Sequence, residues 1–267
     1  MMWEEIVNSG KRRGESIHQV FQEEVQKAIL TSLSREEAFN NLVFQGGTLL
    51  RLFYGNPRFS EDLDFVLRQK KIFDLTKNLS KIQTFVKDVF PFLKEIRIRI
   101  QKKDQNMQRF ILRTISDIPE QNLRIHIELA YVSSYRNQPK ILDYPPFNPV
   151  VRVEDISEIL ADKITALGCR PYLKGRDIWD IYFLAIEKQV SIPWDLVIQK
   201  AEDYGSTFAR LKERLLLASK RIREEGILIL SHEMKRFLPK PVLDQYSEVF
   251  NEIVTKVAKE VESVENV

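Results

Sequence analysis

Apolar positions along this chain repeat at helical spacing near both ends and alternate at strand spacing in the middle. Ile17, Val20, Phe21, Val25, Ile29 and Leu30 set an apolar stripe on one face of a helix over 15–32. A second, short helix is predicted from Ser34, with Glu37 three residues on to complete a capping box. Leu42-Val43-Phe44 is a short strand candidate feeding Gly46-Gly47, after which Leu49, Leu50, Leu52 and Phe53 return to helical spacing. Gly55-Asn56-Pro57 breaks that helix with turn chemistry. A short strand follows over 62–67, and Phe73, Leu75, Leu79, Ile82, Phe85, Val86 and Val89 predict an amphipathic helix over 72–89 that Pro91 ends.

Three strand-like runs come next. Residues 96–100 and 123–129 alternate cleanly, and 110–115 is mixed. Tyr144-Pro145-Pro146-Phe147-Asn148-Pro149 is proline-dense and marks a boundary, with one more short strand at 150–153. Helical spacing then holds over 155–168, from 174, from Pro193-Trp194-Asp195, over 208–222 and over 242–261. Strands in succession among helices predict an α+β fold: a mixed sheet flanked by helices over 1–153, then a helical domain over 154–267.

Composition narrows the class. The 267 residues are 43% hydrophobic, enough to bury a core in one large domain or two modest ones. No apolar run is long enough to cross a membrane, and the first residues lack an apolar signal core, so a cytoplasmic location is expected. The single cysteine, Cys169, excludes an internal disulfide and is expected to be a buried small apolar residue. His18, His126 and His232 show no zinc spacing. The net charge of +3, from 41 basic and 38 acidic residues, permits nucleic-acid contact without arguing for it. Basic clusters stand at Lys11-Arg12-Arg13, Arg68 to Lys71 and Arg97 to Lys103; such runs are most often solvated faces.

The candidate chemistry lies in F-Q-G-G-T-L-L-R-L-F-Y-G-N-P-R-F-S-E-D-L-D-F-V, residues 44–66. On a strand, Asp62 and Asp64 share one side, ~6.6 Å apart along it, while Leu63, Phe65 and Leu67 face the core. Carboxylates held this way repel unless a cation lies between them, and hard oxygen donors suit Mg²⁺. Gly46 and Gly47 let backbone approach a phosphate, and the helix beginning near Thr48 offers free N–H groups and a positive dipole end. A Gly-Gly alone is usually a tight turn, and Asp-x-Asp is common on surfaces. Together, one helix apart, they describe a nucleotide–Mg²⁺ site.

On the strand at 123–129, Arg124, His126 and Glu128 share the face opposite the apolar residues, where Glu128 can act as a third acid. Farther on, Lys163 and Arg170 stand seven apart. In Lys174-Gly175-Arg176-Asp177-Ile178-Trp179-Asp180, Asp177 suits a helix N-terminus and Asp180 is expected to pair with Arg176 at i,i+4.

G-G-T-L-L-R-L-F-Y-G-N-P-R-F-S-E-D-L-D-F resembles the first motif of polymerase-β-type nucleotidyltransferases, and most closely the AbiEii/AbiGii abortive-infection toxins. The resemblance implies a polymerase-β-like domain in which Asp62, Asp64 and Glu128 hold one or two Mg²⁺, with Mn²⁺ an alternative. It implies that Gly46, Gly47, Thr48, Arg51 and Ser60 serve the nucleotide. Lys163 and Arg170 would neutralise phosphate charge, and Asp177 would close the site. The implied activity is transfer of NMP from an NTP to an acceptor, tRNA first among the candidates, by a type IV toxin of a phage-defence system. Its antitoxin would be encoded nearby and need not touch it. The alternatives are a protein or small-molecule acceptor, an Asp-x-Asp glycosyltransferase, or an inactive nucleotide-binding module.

Overall fold

Residues 1–267 are described by a computed structural model. They divide into two units: residues 1–55 with 59–154, and residues 56–58 with 155–267. No helix is long and apolar enough to cross a membrane.

The first unit opens with helices α1 (Trp3–Arg13) and α2 (Ile17–Arg35), then β1 (Leu42–Gln45), α3 (Gly46–Tyr54) and β2 (Leu63–Leu67). Helix α4 (Leu79–Val89) leads to β3 (Glu95–Lys103), β4 (Met107–Ile115), β5 (Arg124–Ser133), β6 (Asn137–Ile141) and β7 (Val150–Glu154). The strands form one mixed sheet in the order β3-β4-β5-β2-β1-β7-β6. Parallel pairs β1–β7 and β2–β5 sit among antiparallel ones. Alternation at 123–129 works because one face is buried: Ile125, Ile127 and Leu129 are fully covered, as are Phe110 and Leu112 on β4. Phe21 anchors the core between α2 and the α4–β3 connection, with its ring 5.5 Å from Trp3 and 5.4 Å from Phe90. A second stack, Phe44 on Phe65 at 5.4 Å, joins β1 to β2.

Several sequence-based expectations are corrected here. Ser34 and Glu37 form no capping box: α2 runs on to Arg35, Glu37 takes a left-handed conformation, and only a 3₁₀ turn over Ala38–Asn40 follows. The predicted 72–89 helix starts as a 3₁₀ turn at Leu75, capped by Asp74, whose side chain accepts from Thr76 N. Helix α1 and strand β6 were not expected.

The second unit is helical: α5 (Ile156–Cys169), α6 (Gly175–Ile181), a π-helical stretch over Tyr182–Glu187, α7 (Trp194–Asp203), α8 (Phe208–Phe237), α9 (Lys240–Ser247) and α10 (Phe250–Glu262). The segment predicted as one helix over 242–261 is two, broken between Ser247 and Phe250. Cys169 is half-buried rather than enclosed, and burial raises its thiol pKa. The 30-residue helix α8 is the spine. At its crossing with α6, a Cβ on Gly175 would lie 2.7 Å from the Ile229 carbonyl oxygen. Glu233, one turn farther along α8, accepts from the N–H groups of Gly175 at 3.0 Å and Arg176 at 3.1 Å, capping α6.

Backbone opposes the missing methyl here, so relief requires the helices to part. Gly175→Ala is expected to cost about 1–3 kcal/mol, read as a lower urea midpoint; an unchanged midpoint contradicts this packing.

Candidate active site

Helix α3 begins without a connecting residue after β1, which forces an unusual backbone at the junction. Gly46 has φ +82°, and a Cβ there would lie 2.6 Å from Asp64 Oδ2. Glycine is required twice, by the left-handed conformation and by the carboxylate against it. Two residues on, the fully buried Thr48 donates its hydroxyl to the Asp62 carbonyl oxygen at 2.5 Å. The approach to Asp62 is fixed from α2 as well. Gln22 Nε2 donates to the Glu61 carbonyl at 3.1 Å, and Gln26 Nε2 to that of Ser60 at 2.9 Å. The carbonyls of Ser60 and Glu61 are thereby tied to α2 and that of Asp62 to the start of α3, while Asp64 lays its carboxylate against Gly46.

Register brings the acids together. Asp64 pairs with Gln45 across β1 and with Glu128 across the parallel strand β5. Asp62 accepts at Oδ1 from His126 Nδ1, 3.0 Å away and two residues before Glu128 on β5. Glu128 meets the Arg109 guanidinium, its cross-strand partner on β4, at 2.7 Å and 2.9 Å. The side chains of Asp62, Glu128 and His126 are all part-exposed. Three hard carboxylate donors on one sheet face, with Asp64 set into the cradle that Gly46 leaves, fit a hard divalent cation. Arg109 balances the charge of Glu128 and His126 hydrogen-bonds Asp62, and each must yield an oxygen for the acid to coordinate.

Other predicted residues are engaged differently. Gly47 is buried in the first turn of α3. Arg51 is committed to Glu15 at 2.9 Å and Glu23 at 2.8 Å, and stacks 4.4 Å over Phe59.

In the second unit, Lys163, Arg170, Asp177 and Asp180 form one ion cluster. Asp180 is fully buried and held bidentately by Arg58, Nε at 2.6 Å and Nη2 at 2.5 Å, with Asn56 Nδ2 at 3.0 Å. Lys163 Nζ reaches Asp180 at 2.7 Å and Asp177 at 3.0 Å, and Arg170 closes on the other oxygen of Asp177. The expected Arg176–Asp180 pair is not formed. Arg176 instead turns to Glu233, at 3.5 Å, and Asp180 is taken by Arg58, 122 residues away in sequence. Burial alone would raise the Asp180 carboxyl, but Arg58 and Lys163 outweigh it and hold it down at about 2. Burial likewise disfavours the Lys163 ammonium, yet Asp180 and Asp177 keep its pKa above the ordinary value.

Comparison with known proteins gives the family. The profile of the family described as nucleotidyl transferase AbiEii toxin, type IV toxin–antitoxin system, matches residues 28–256. The chain belongs to that family. JHP933 from Helicobacter pylori is similar in structure, with TM-score 0.54, 22% identity, and coverage of 94% of this chain and 96% of that one. A second H. pylori structure, given only as a candidate nucleotidyltransferase, has TM-score 0.51, 22% identity and 92% coverage of both chains. At that identity the likeness shows the shared fold. No curated protein sequence matches.

Sequence reading missed the groups that position the acids. Gln22 and Gln26 stand among many polar residues of α2, and only the structure shows that these two are buried, so no pattern in the sequence marks them. His126 was visible on the right face but without its partner.

Two outcomes follow. Gly46→Ala is expected to lower stability by about 1–3 kcal/mol through strain at positive φ and displacement of Asp64; a wild-type urea midpoint would refute the close approach. For Asp180, a depressed folded pKa means stability present above the unfolded value near 3.8 and lost as pH falls through about 2. Asp180→Asn should therefore cost about 3–5 kcal/mol at pH 7 by stranding Arg58. The gap to wild type should shrink between about pH 4 and pH 2, and a gap independent of pH would contradict the assignment.

Proposed function

We propose that this chain is a Mg²⁺-dependent nucleotidyltransferase that moves NMP from an NTP to a nucleic-acid acceptor, tRNA being the favoured one. The transfer would take place in the cytoplasm, as the toxin half of a phage-defence pair. The observation that carries the reading is the gathering of Asp62, Asp64 and Glu128 at the N-terminus of a glycine-started helix. An acid cluster and an anion-receptive helix end attract opposite partners, and an NTP carried with a divalent cation satisfies both.

Asp62, Asp64 and Glu128 would hold the cation. When bound, Mg²⁺ supplies Lewis-acid stabilisation of phosphoryl oxygens and makes an acceptor hydroxyl easier to deprotonate. The chain's own groups orient the reactants. The N–H groups at Gly46 to Thr48 would receive phosphate oxygens at the first turn of α3. Thr48 contributes backbone only, because its hydroxyl is used by the Asp62 carbonyl. His126 holds the orientation of Asp62, and Arg109 that of Glu128. In the transfer an acceptor hydroxyl oxygen bonds to the α-phosphorus while the bond to the β-phosphate oxygen breaks, releasing pyrophosphate. Phosphoryl transfer depends on positioning and charge more than on a covalent nucleophile, so no serine or cysteine is needed.

Asp64→Ala removes a carboxylate without removing a core group. It is expected to leave the urea midpoint within about 1 kcal/mol of wild type and to abolish transfer of label from α-³²P-NTP to bulk tRNA. Mass spectrometry of that tRNA after incubation with each NTP identifies the base and the attachment point. Undiminished transfer by the variant would remove this mechanism.

A further inference from the structure

The sheet face that carries Glu128 also carries an unneutralised arginine row. Cross-strand register places Arg97 opposite Arg113, and Arg113 opposite Arg124, so three cations lie side by side across β3, β4 and β5. Like charges directly opposite one another destabilise a sheet. Only Arg97 is compensated, by Glu95 at 2.6 Å. Arg113 and Arg124 are exposed and no acid pairs with them, and the same holds for Arg99 on β3. The four arginines line a groove of about 760 Å³ together with Asn122 and Gln83.

The row has a fixed relation to the acids. Along β5, Arg124, His126 and Glu128 follow at every second residue on one face, so the row lies ~13 Å from Glu128. In the cross-strand line of Glu128, Arg109 is its partner on β4, and Lys102 pairs with Arg109 on β3. The face therefore runs from a cationic groove to a carboxylate cluster, in an orientation set by pairing rather than by loops.

We propose that this groove seats the phosphodiester backbone of the acceptor, with Arg99, Arg113 and Arg124 contacting phosphates so that the acceptor's reactive hydroxyl is presented at the acid cluster. The proposal rests on the nucleotidyltransferase reading and adds to it where the polynucleotide lies. Planar guanidinium groups match phosphate geometry bidentately and are weakly hydrated. The repulsion between Arg113 and Arg124, which no acid relieves, is relieved by a polyanion. A small-molecule acceptor would leave the row unused, and an acidic protein would lack the regular backbone charge it matches.

The test is fluorescence anisotropy of a labelled single-stranded RNA oligonucleotide titrated with the full chain between 50 and 200 mM salt. The proteins are wild type, the double variant Arg113→Gln/Arg124→Gln, and a charge-matched control, Lys256→Gln/Lys259→Gln, in α10. The arginine variant is expected to bind at least about tenfold more weakly, with the slope of log K against log salt reduced by about 1.5. The control should stay within about twofold of wild type. The arginine variant should retain Mg²⁺-dependent NTP binding and a urea midpoint equal to or above wild type, since a repulsion has been removed. Equal weakening on a DNA oligonucleotide of the same sequence also supports the proposal, because the recognised chemistry is the backbone. RNA binding undiminished in the arginine variant, an equal loss in the control, or competition by polyglutamate as effective as by RNA would each overturn it. Failure of the underlying reading registers separately, as label transfer that survives Asp64→Ala.

Discussion

The first unit depends on a contact that tolerates no side chain. Where β1 passes straight into α3, Gly46 adopts a backbone that other residues avoid, and Asp64 presses its carboxylate into the space a methyl would fill. Thr48 repeats the coupling two residues on, through its bond to the Asp62 carbonyl. Helix start and acid strand are therefore one object, and neither can shift without the other. Under the proposed function, this is what joins two weak signals, a double glycine and an Asp-x-Asp, in one site. The helix end proposed to receive phosphate and the acid pair proposed to hold the cation stay in constant relation because they are packed against each other.

Charge is handled in opposite ways in the two units. In the second, Asp180, Asp177, Lys163, Arg170 and Arg58 neutralise one another away from water, and Asn56 and Trp179 finish the bonding, with Trp179 Nε1 donating to Asn56 Oδ1 at 2.9 Å. Such a cluster is costly to break, and it specifies one arrangement because every member has its partner. In the first unit the charges on the sheet face lie open to solvent in part or in full, and Arg113 and Arg124 of the row lack acids. Like charges set directly opposite one another in this way cost stability.

Much of this was legible in the sequence, for identifiable reasons. The strand at 123–129 could be read because one face is buried, which forces period-two alternation; 96–100 alternates as well, although only Ile96 of its isoleucines is buried and Ile100 is exposed. The acid positions followed from the same alternation, which put Glu128 opposite Ile127 and Leu129. Strand β6 could not be read. It is an edge strand with Pro139 and Lys140 in it, and edges need no apolar face. Helix α1 escaped because Ile6 and Gly10 are its only buried residues. The partner of Asp180 was hidden for another reason. Local spacing offered Arg176, whereas the fold supplied Arg58 from a turn far upstream, and no periodicity encodes a contact of that separation. Family resemblance reached the first motif, but it said nothing of the arginine row, which emerges only once the strand register is known.

The central claim, that these acids grip a divalent cation beside the start of α3, is tested most directly by anomalous diffraction from crystals grown with Mn²⁺ and a non-hydrolysable NTP. The account predicts an anomalous peak within coordination distance of carboxylate oxygens of both Asp62 and Asp64, with phosphate oxygens at the first turn of α3. A nucleotide bound with no metal at those carboxylates, or with its phosphates away from Gly46 to Thr48, would contradict it.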